Sequence, residues 1–113
     1  MSYSEGENDS TMSSEREETF LRLLGSKGAA GILLYLDEHG ATQHKEFDLP
    51  ISRFTLNERL RQFLKFGLVT HHLTRKDAKK EWYEITDTGR KAVEHLKRLI
   101  EINAPPGRSK GDE

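Results

Sequence analysis

The stretch ISRFTLNERLRQFLKFGLV, residues 51–69, decides how the rest of the sequence is interpreted. Ser52 is placed to accept from the first free amides of a helix, and Gly67 is the kind of left-handed residue that ends one. Four apolar residues at helical spacing form one stripe, namely Leu56, Leu60, Phe63 and Leu64. The remaining positions are mostly polar and mainly cationic. The pattern therefore predicts an amphipathic helix over about 52–66 whose polar face is free for function.

Two helices are predicted before this stretch, over about 14–25 and 27–39. Ser26 is the predicted N-cap of the second helix, and Gly40 is its predicted end. The second helix has one apolar face, formed by Ala29, Ile32, Leu33 and Leu36. A helix this apolar is expected at the centre of a small domain.

A short helix over about 43–48 is expected next, with Thr42 as its cap and Pro50 closing it. After Gly67, two β-prone runs flank the polar segment 75–81 and predict a hairpin with a basic tip. Thr86 is then placed to cap a closing helix over about 87–102. The order is three helices, a capped cationic helix, a hairpin and a final helix.

Length and composition predict a single domain over residues 15–102 of the 113. A disordered acidic tail, 1–14, and a disordered C-terminal tail, 103–113, are expected to flank it. No apolar run approaches the ~20 residues that span a bilayer, and the N-terminus does not read as a secretion signal. We therefore expect a cytoplasmic protein that does not contact membrane.

The chain holds no cysteine, which excludes a disulfide framework, a thiolate metal site and a cysteine nucleophile. It also has no glycine-rich phosphate loop and no nucleophile elbow, so we predict that it is not an enzyme and needs no cofactor. His39, His44, His71, His72 and His95 raise the question of a metal sensor. Adjacent strand residues His71 and His72 point to opposite faces, and no pair has the i, i+4 spacing on a helix, so no metal site is predicted.

The net charge of −1 averages two unlike regions. Residues 1–18 contain six acids and one arginine, an excess of five negative charges. Residues 42–81 contain nine Lys/Arg and five Asp/Glu, an excess of four positive charges. Positive charge concentrated over the capped helix and the hairpin suits an anionic partner.

The order of elements is the layout of a winged helix-turn-helix domain: an α+β, mainly α fold with a three-helix core, a two-stranded β-hairpin wing and flanking N- and C-terminal helices. The residues IS..TL..RL..F...GLV, followed by a hairpin and WYEITDTGR, resemble the HxlR-type regulators over residues 25–102. MarR and ArsR groups share the weaker core of this pattern. The resemblance implies a homodimeric transcriptional regulator that binds double-stranded DNA, with the capped helix in the major groove and the wing on the backbone or minor groove.

Carried over to this sequence, the resemblance places base readers in the first half of the capped helix. These are Arg53, Phe54, Thr55, Asn57, Glu58 and Arg59. Cations further along the helix and on the wing are expected to meet phosphates, namely Arg61, Lys65, Arg75, Lys76, Lys79 and Lys80. Glu58 is unfavourable beside phosphate unless it accepts from cytosine or holds Arg61 or Gln62 in place, and both roles stay open.

Apolar residues of the terminal helices exceed what one stripe on a small core absorbs, which favours a homodimer. The expected interface comprises Phe20, Leu21, Leu24, Leu99, Ile100 and Ile102, with Leu23 beside them. The sequence indicates no effector pocket. Many HxlR-type members carry an N-terminal cysteine and a Lys-Trp pair at the helix that here opens Lys27-Gly28, so thiol or aldehyde sensing is not expected.

Two alternatives are compatible with the same residues. A winged helix is also used as a protein–protein interaction module within transcription or replication assemblies, and this reading predicts that the cationic face is dispensable. The wing lysines, in turn, are also suited to protecting an exposed strand edge from pairing with another chain.

Overall fold

The computed structural model describes residues 3–76 and 79–104, with side chains from residue 14 onward. Its elements in chain order are α1 (Tyr3–Leu24), α2 (Ala29–His39), a 3₁₀ turn (His44–Glu46), α3 (Arg53–Lys65), β1 (Val69–Thr74), β2 (Lys80–Ile85) and α4 (Asp87–Ile102). The predicted order of helices and hairpin is confirmed. The predicted tail at 105–113 lies outside the described residues.

Helix α1 is longer than predicted, because it begins at Tyr3 rather than near Ser14. The disordered tail expected over 1–14, which was inferred from the lack of apolar residues, stays a prediction.

Helix α2 is the centre of the core, as its apolar face predicts. Ile32, Leu33 and Leu36 are fully buried, and Gly40 ends the helix with φ 80° while its amide donates to the Leu36 carbonyl. The predicted cap is wrong, because the hydroxyl of Ser26 donates to the Leu23 carbonyl at 2.6 Å instead of accepting from α2.

Thr42 also differs from its predicted role as a helix cap. Its amide and carbonyl pair with the backbone of Tyr83 at 2.9 and 2.8 Å, and its side chain is buried. The following 3₁₀ turn is capped by Gln43 instead, whose amide donates to Glu46. Thr42 therefore anchors the segment before α3 to strand β2.

The two strands form an antiparallel hairpin with Val69 opposite Ile85, His72 opposite Trp82 and Thr74 opposite Lys80. Leu68, Val69 and Ile85 enter the core at the base of the hairpin. The outer end carries polar and charged residues and extends away from the core, which is the form of a wing.

Helix α4 closes the core on the side of the hairpin base. Thr86 caps it as predicted, its hydroxyl oxygen accepting from the Gly89 amide at 2.9 Å. Gly89 and Val93 are buried, and a Cβ at Gly89 would lie 2.2 Å from the Leu68 carbonyl oxygen. Glycine is thus required there because helix and strand approach closely.

Candidate nucleic-acid interface

The orientation of α3 is fixed by its cap and by three buried residues. Ser52 Oγ accepts from the Thr55 amide at 3.0 Å, which confirms the predicted start. Leu56, Leu60 and Phe63 are buried against α2 and the hairpin base. Leu64 was predicted in this stripe but is 37% exposed, because it lies at the edge of the stripe on the helix surface.

The opposite face of α3 is exposed and carries Phe54, Asn57, Arg61 and Lys65. Glu58 is half-buried, and its carboxylate accepts from Arg61 at 2.6 Å. Of the two roles left open for Glu58, this contact favours holding Arg61. The pair neutralises part of the face. Within residues 14–76 and 79–104, Lys65 at the far end of the helix forms no ion pair.

Two of the predicted base readers are directed toward their own chain. Arg53 Nη1 lies 3.0 Å from His44 Nδ1 and 3.5 Å from the His44 carbonyl oxygen. Arg59 Nε donates to the main-chain oxygen of Lys27 at 3.0 Å, on the side of α3 that faces the turn before α2. Thr55 is half-buried and accepts from the Ser52 hydroxyl. Of the predicted readers in the first half of the helix, Phe54 and Asn57 are therefore exposed and make no side-chain hydrogen bond among the described residues, whereas Arg53 is exposed but held at His44.

The wing presents its cations to solvent as predicted: Arg75, Lys76, Lys79 and Lys80 are all exposed. Lys79 Nζ lies 4.0 Å from the Glu81 carboxylate, a distance at which exposed pairs contribute little. The structure therefore places three of these cations between the strands and the fourth, Lys80, at the first residue of β2, on the element that follows α3 in the chain.

Stacked cross-strand rings stiffen the shaft of the wing. His71 stacks on Tyr83 with centroids 4.8 Å apart, and His72 stacks on Trp82 at 5.3 Å. Burial raises the pKa of the Tyr83 hydroxyl above its usual value, and the Glu81 carboxylate raises it further. Tyr83 therefore stays neutral at physiological pH and adds no charge to the wing.

His71 and His72 lie on opposite faces of the hairpin, as predicted, and each is close to a different carboxylate. His72 Nε2 is 2.9 Å from Glu84, whereas His71 Nε2 is 3.8 Å from Glu81. Across residues 3–76 and 79–104, the structure shows no group of three or more His, Cys, Asp or Glu side chains able to hold a metal ion.

The apolar residues expected at a dimer interface fall into two sets. Leu21, Leu99 and Ile102 are 65%, 62% and 79% exposed, and Ile100 is exposed beside them. Phe20 and Leu24 instead pack on their own core, and Leu23 is buried within it. Phe20 contacts Phe66 at 5.2 Å between ring centroids, so its first role is to hold α1 against the end of α3.

Sequence reasoning missed the contacts that aim α3. Arg53 lies against His44, Arg59 donates to the main-chain oxygen of Lys27, and Thr42 pairs with Tyr83 through the backbone. The members of these pairs are 9, 32 and 41 residues apart in the sequence, and no local pattern links them.

Among the described residues, no helix is long and apolar enough to cross a membrane.

Together, the helical core, the exposed cationic helix and the hairpin beside it define a winged helix-turn-helix protein. The sequence matches no protein-family model, and no curated protein is similar to it. The fold is shared with solved transcriptional regulators, each at low identity.

Three of these similar structures cover most of the chain. The reduced form of the transcriptional regulator YodB from B. subtilis is 22% identical, with a TM-score of 0.67 over 81% of this chain and 95% of that chain. A protein from Enterococcus faecalis V583 described as a regulator of the MarR family is 20% identical, with a TM-score of 0.65 over 79% and 83%. A transcriptional regulator homologue from Pyrococcus horikoshii OT3 is 22% identical, with a TM-score of 0.63 over 79% and 96%.

Proposed function

We propose that this protein is a transcriptional regulator of the HxlR-like type that binds double-stranded DNA in a sequence-specific way. The observation that carries the proposal is the exposed face of α3, which the core fixes in place and which lies next in the chain to a wing with four exposed cations. A helix and a neighbouring basic hairpin are the two elements with which this fold binds a DNA duplex. The solved structures that share the fold are transcriptional regulators, which supports the same non-catalytic role for this protein.

The proposed contacts are of two kinds. Phe54 and Asn57, at the start of α3, are suited to base edges in the major groove, where asparagine binds adenine through two hydrogen bonds. Arg61, Lys65 and the wing cations are suited to phosphates, which set register without reading sequence. Arg59 acts as a positioning residue through Lys27, and Arg53 through His44.

We further propose that two copies act together, with Leu21, Leu99, Ile100 and Ile102 in the interface. Their exposure supports this, because an apolar set on two terminal helices is costly to leave in water. Two reading helices would then lie about one DNA turn apart, ~34 to 36 Å, and the operator would be a pseudo-palindrome. Location in the cytoplasm stays a prediction.

A thiol switch is not part of this proposal. The YodB structure is of a reduced form, but this chain has no cysteine to oxidise. Any signal that changes its DNA affinity must therefore act by another chemistry.

The deciding experiment is selection of bound duplexes from a random DNA pool, followed by titration of the selected duplex at several salt concentrations. We expect a pseudo-palindromic consensus and an affinity that falls steeply with salt, because cations release counterions from phosphates. The double variant Lys79→Ala/Lys80→Ala should weaken selected and random duplexes alike. The matched control Lys91→Ala, on α4, should change neither.

Absent or salt-independent binding would contradict the proposal. It would favour the second reading, a winged helix that binds protein, in which the cationic face is dispensable. Enrichment of no consensus despite salt-dependent binding would indicate an architectural DNA binder instead.

A further inference from the structure

Phe54 is an apolar side chain placed where a reading helix meets its target. It is the second residue of α3, it is 73% exposed, and it takes no part in the core. A single exposed apolar residue is ordinary on a protein surface, so exposure alone indicates nothing. Its position among its neighbours is what carries the inference.

In the first turn of α3, the other side chains are already engaged. Arg53 lies against His44, Thr55 accepts from Ser52, and Leu56 is buried. Arg53 is exposed as well, but its guanidinium is held at His44. Among the described residues, Phe54 is thus the exposed side chain of this turn that has no such contact.

The surroundings of Phe54 indicate a charged partner rather than an apolar surface. Arg61 and Lys65 share its face of α3, and Asn57 follows one turn later. A protein partner with an apolar surface would have to bury these polar groups, which is unfavourable without matching hydrogen bonds. A DNA groove is lined by phosphates that suit the cations and by base edges that suit Asn57.

Base edges in the major groove offer one apolar group, the C5-methyl of thymine. The other groups there are hydrogen-bond donors and acceptors, which a phenyl ring would desolvate without replacing their bonds. We infer that Phe54 specifies thymine, by packing its ring against the C5-methyl at one position of each half-site. This inference rests on the proposed function and adds the identity of a base that α3 selects.

The test compares thymine with uracil, which keep the same hydrogen-bonding groups and differ by that methyl. In the duplex selected from the random pool, each thymine of one half-site is replaced in turn by deoxyuridine, and affinities are measured at fixed salt. Wild-type protein should lose affinity about fourfold at one position, the factor that corresponds to burying one methyl-sized group at ~0.8 kcal/mol. For Phe54→Ala the two duplexes should bind alike.

Two controls keep the test decisive. Leu64→Ala changes the other exposed apolar residue of α3 and should retain the fourfold ratio. Phe54→Leu keeps an apolar contact and should retain part of it. The thermal unfolding temperature of Phe54→Ala should match wild type, because the ring is not in the core.

Three results separate this inference from the proposed function. A methyl effect at one position that disappears in Phe54→Ala supports it. Specific binding without any methyl effect, or with the same effect in Phe54→Ala, overturns it and leaves the regulator intact. Failure to bind any duplex overturns both.

Discussion

Helices α3 and α4 begin alike and end differently. Each starts with a hydroxyl residue, Ser52 or Thr86, that accepts from the amide three residues later. Helix α3 then buries its main apolar stripe in the core and exposes a polar face to solvent. Helix α4 buries Gly89 and Val93 in its first half, and its second half exposes apolar residues, namely Leu99, Ile100 and Ile102.

The contrast indicates two different partners for two amphipathic helices of one small domain. A cationic face is stable in water, and it suits a polyanionic partner. An exposed apolar face has no such reason to stay in water and suits a similar face on another copy. Four sets of substitutions test this difference between the two helices.

Phe63→Ala should have the largest effect, because Phe63 is fully buried and holds α3 to the core. We expect the free energy of unfolding to fall by about 3–5 kcal/mol, from lost burial and the cavity left behind. Denaturant titration measures it. The control Leu64→Ala, one residue further and partly exposed, should cost less than about 1 kcal/mol. Equal losses would mean that the stripe does not fix α3.

Charging the exposed half of α4 should separate the copies. Leu99→Glu with Ile102→Glu should reduce the solution mass from two chains to one, because two like-charged faces would weaken association by about 2 kcal/mol or more. Sedimentation or light scattering reads the mass directly. Leu64→Glu, on α3, should leave it unchanged. A wild-type protein of one chain would remove the dimer from the proposal.

Gly89→Ala should destabilise the fold by about 1–3 kcal/mol, since the new Cβ would clash with the backbone of Leu68. Gly31→Ala is the matched control, because its Cβ would meet only Leu49, at 3.9 Å. That control should gain up to about 1 kcal/mol from helix propensity. Thermal unfolding of both variants tests whether the first half of α4 is packed as closely as α3. A tolerated Gly89→Ala would show that it is not.

Lys65→Ala should have the smallest effect. We expect the slope of log affinity against log salt to fall by about 0.9, the contribution of one phosphate contact. Fluorescence anisotropy at four salt concentrations measures the slope. Lys97→Ala, on α4, removes another exposed cation and should leave the slope unchanged. A change for both variants would mean that neither helix face is specifically the DNA side.

The features predicted correctly from sequence are those decided within a few residues. Ser52 and Thr86 cap their own helices, and Gly40 and Gly67 take the positive φ that ends a helix. The hairpin likewise follows from two β-prone runs and a polar turn between them.

The errors come from groups whose partner the local sequence does not single out. Ser26 and Thr42 are hydroxyl residues of the same type as Ser52, but one bonds backward to Leu23 and the other pairs its backbone with Tyr83. Local sequence does not distinguish a cap from such contacts. The position of Leu64 depends on where the stripe meets the core edge, which only the packed structure defines.

The sequence predicted the charge of the candidate site but not the orientation of its arginine side chains. The exposed wing cations and the exposed Asn57 match the expectation, because surface polarity is visible in composition. The aim of the guanidinium groups was not predictable, since it depends on acceptors brought close by folding. For the same reason, Phe54 stands out only once its neighbours are seen to be occupied.

The bond from Arg59 to Lys27 has an evolutionary consequence, because the acceptor is a main-chain oxygen. Every residue type supplies that oxygen, so position 27 is free to vary in related chains without loss of the contact. Position 59 is not, because the donor must be long enough and carry a nitrogen that donates at this distance. Homologous sequences should therefore show a constrained 59 beside a variable 27, an asymmetry that covariation between the two positions would never reveal.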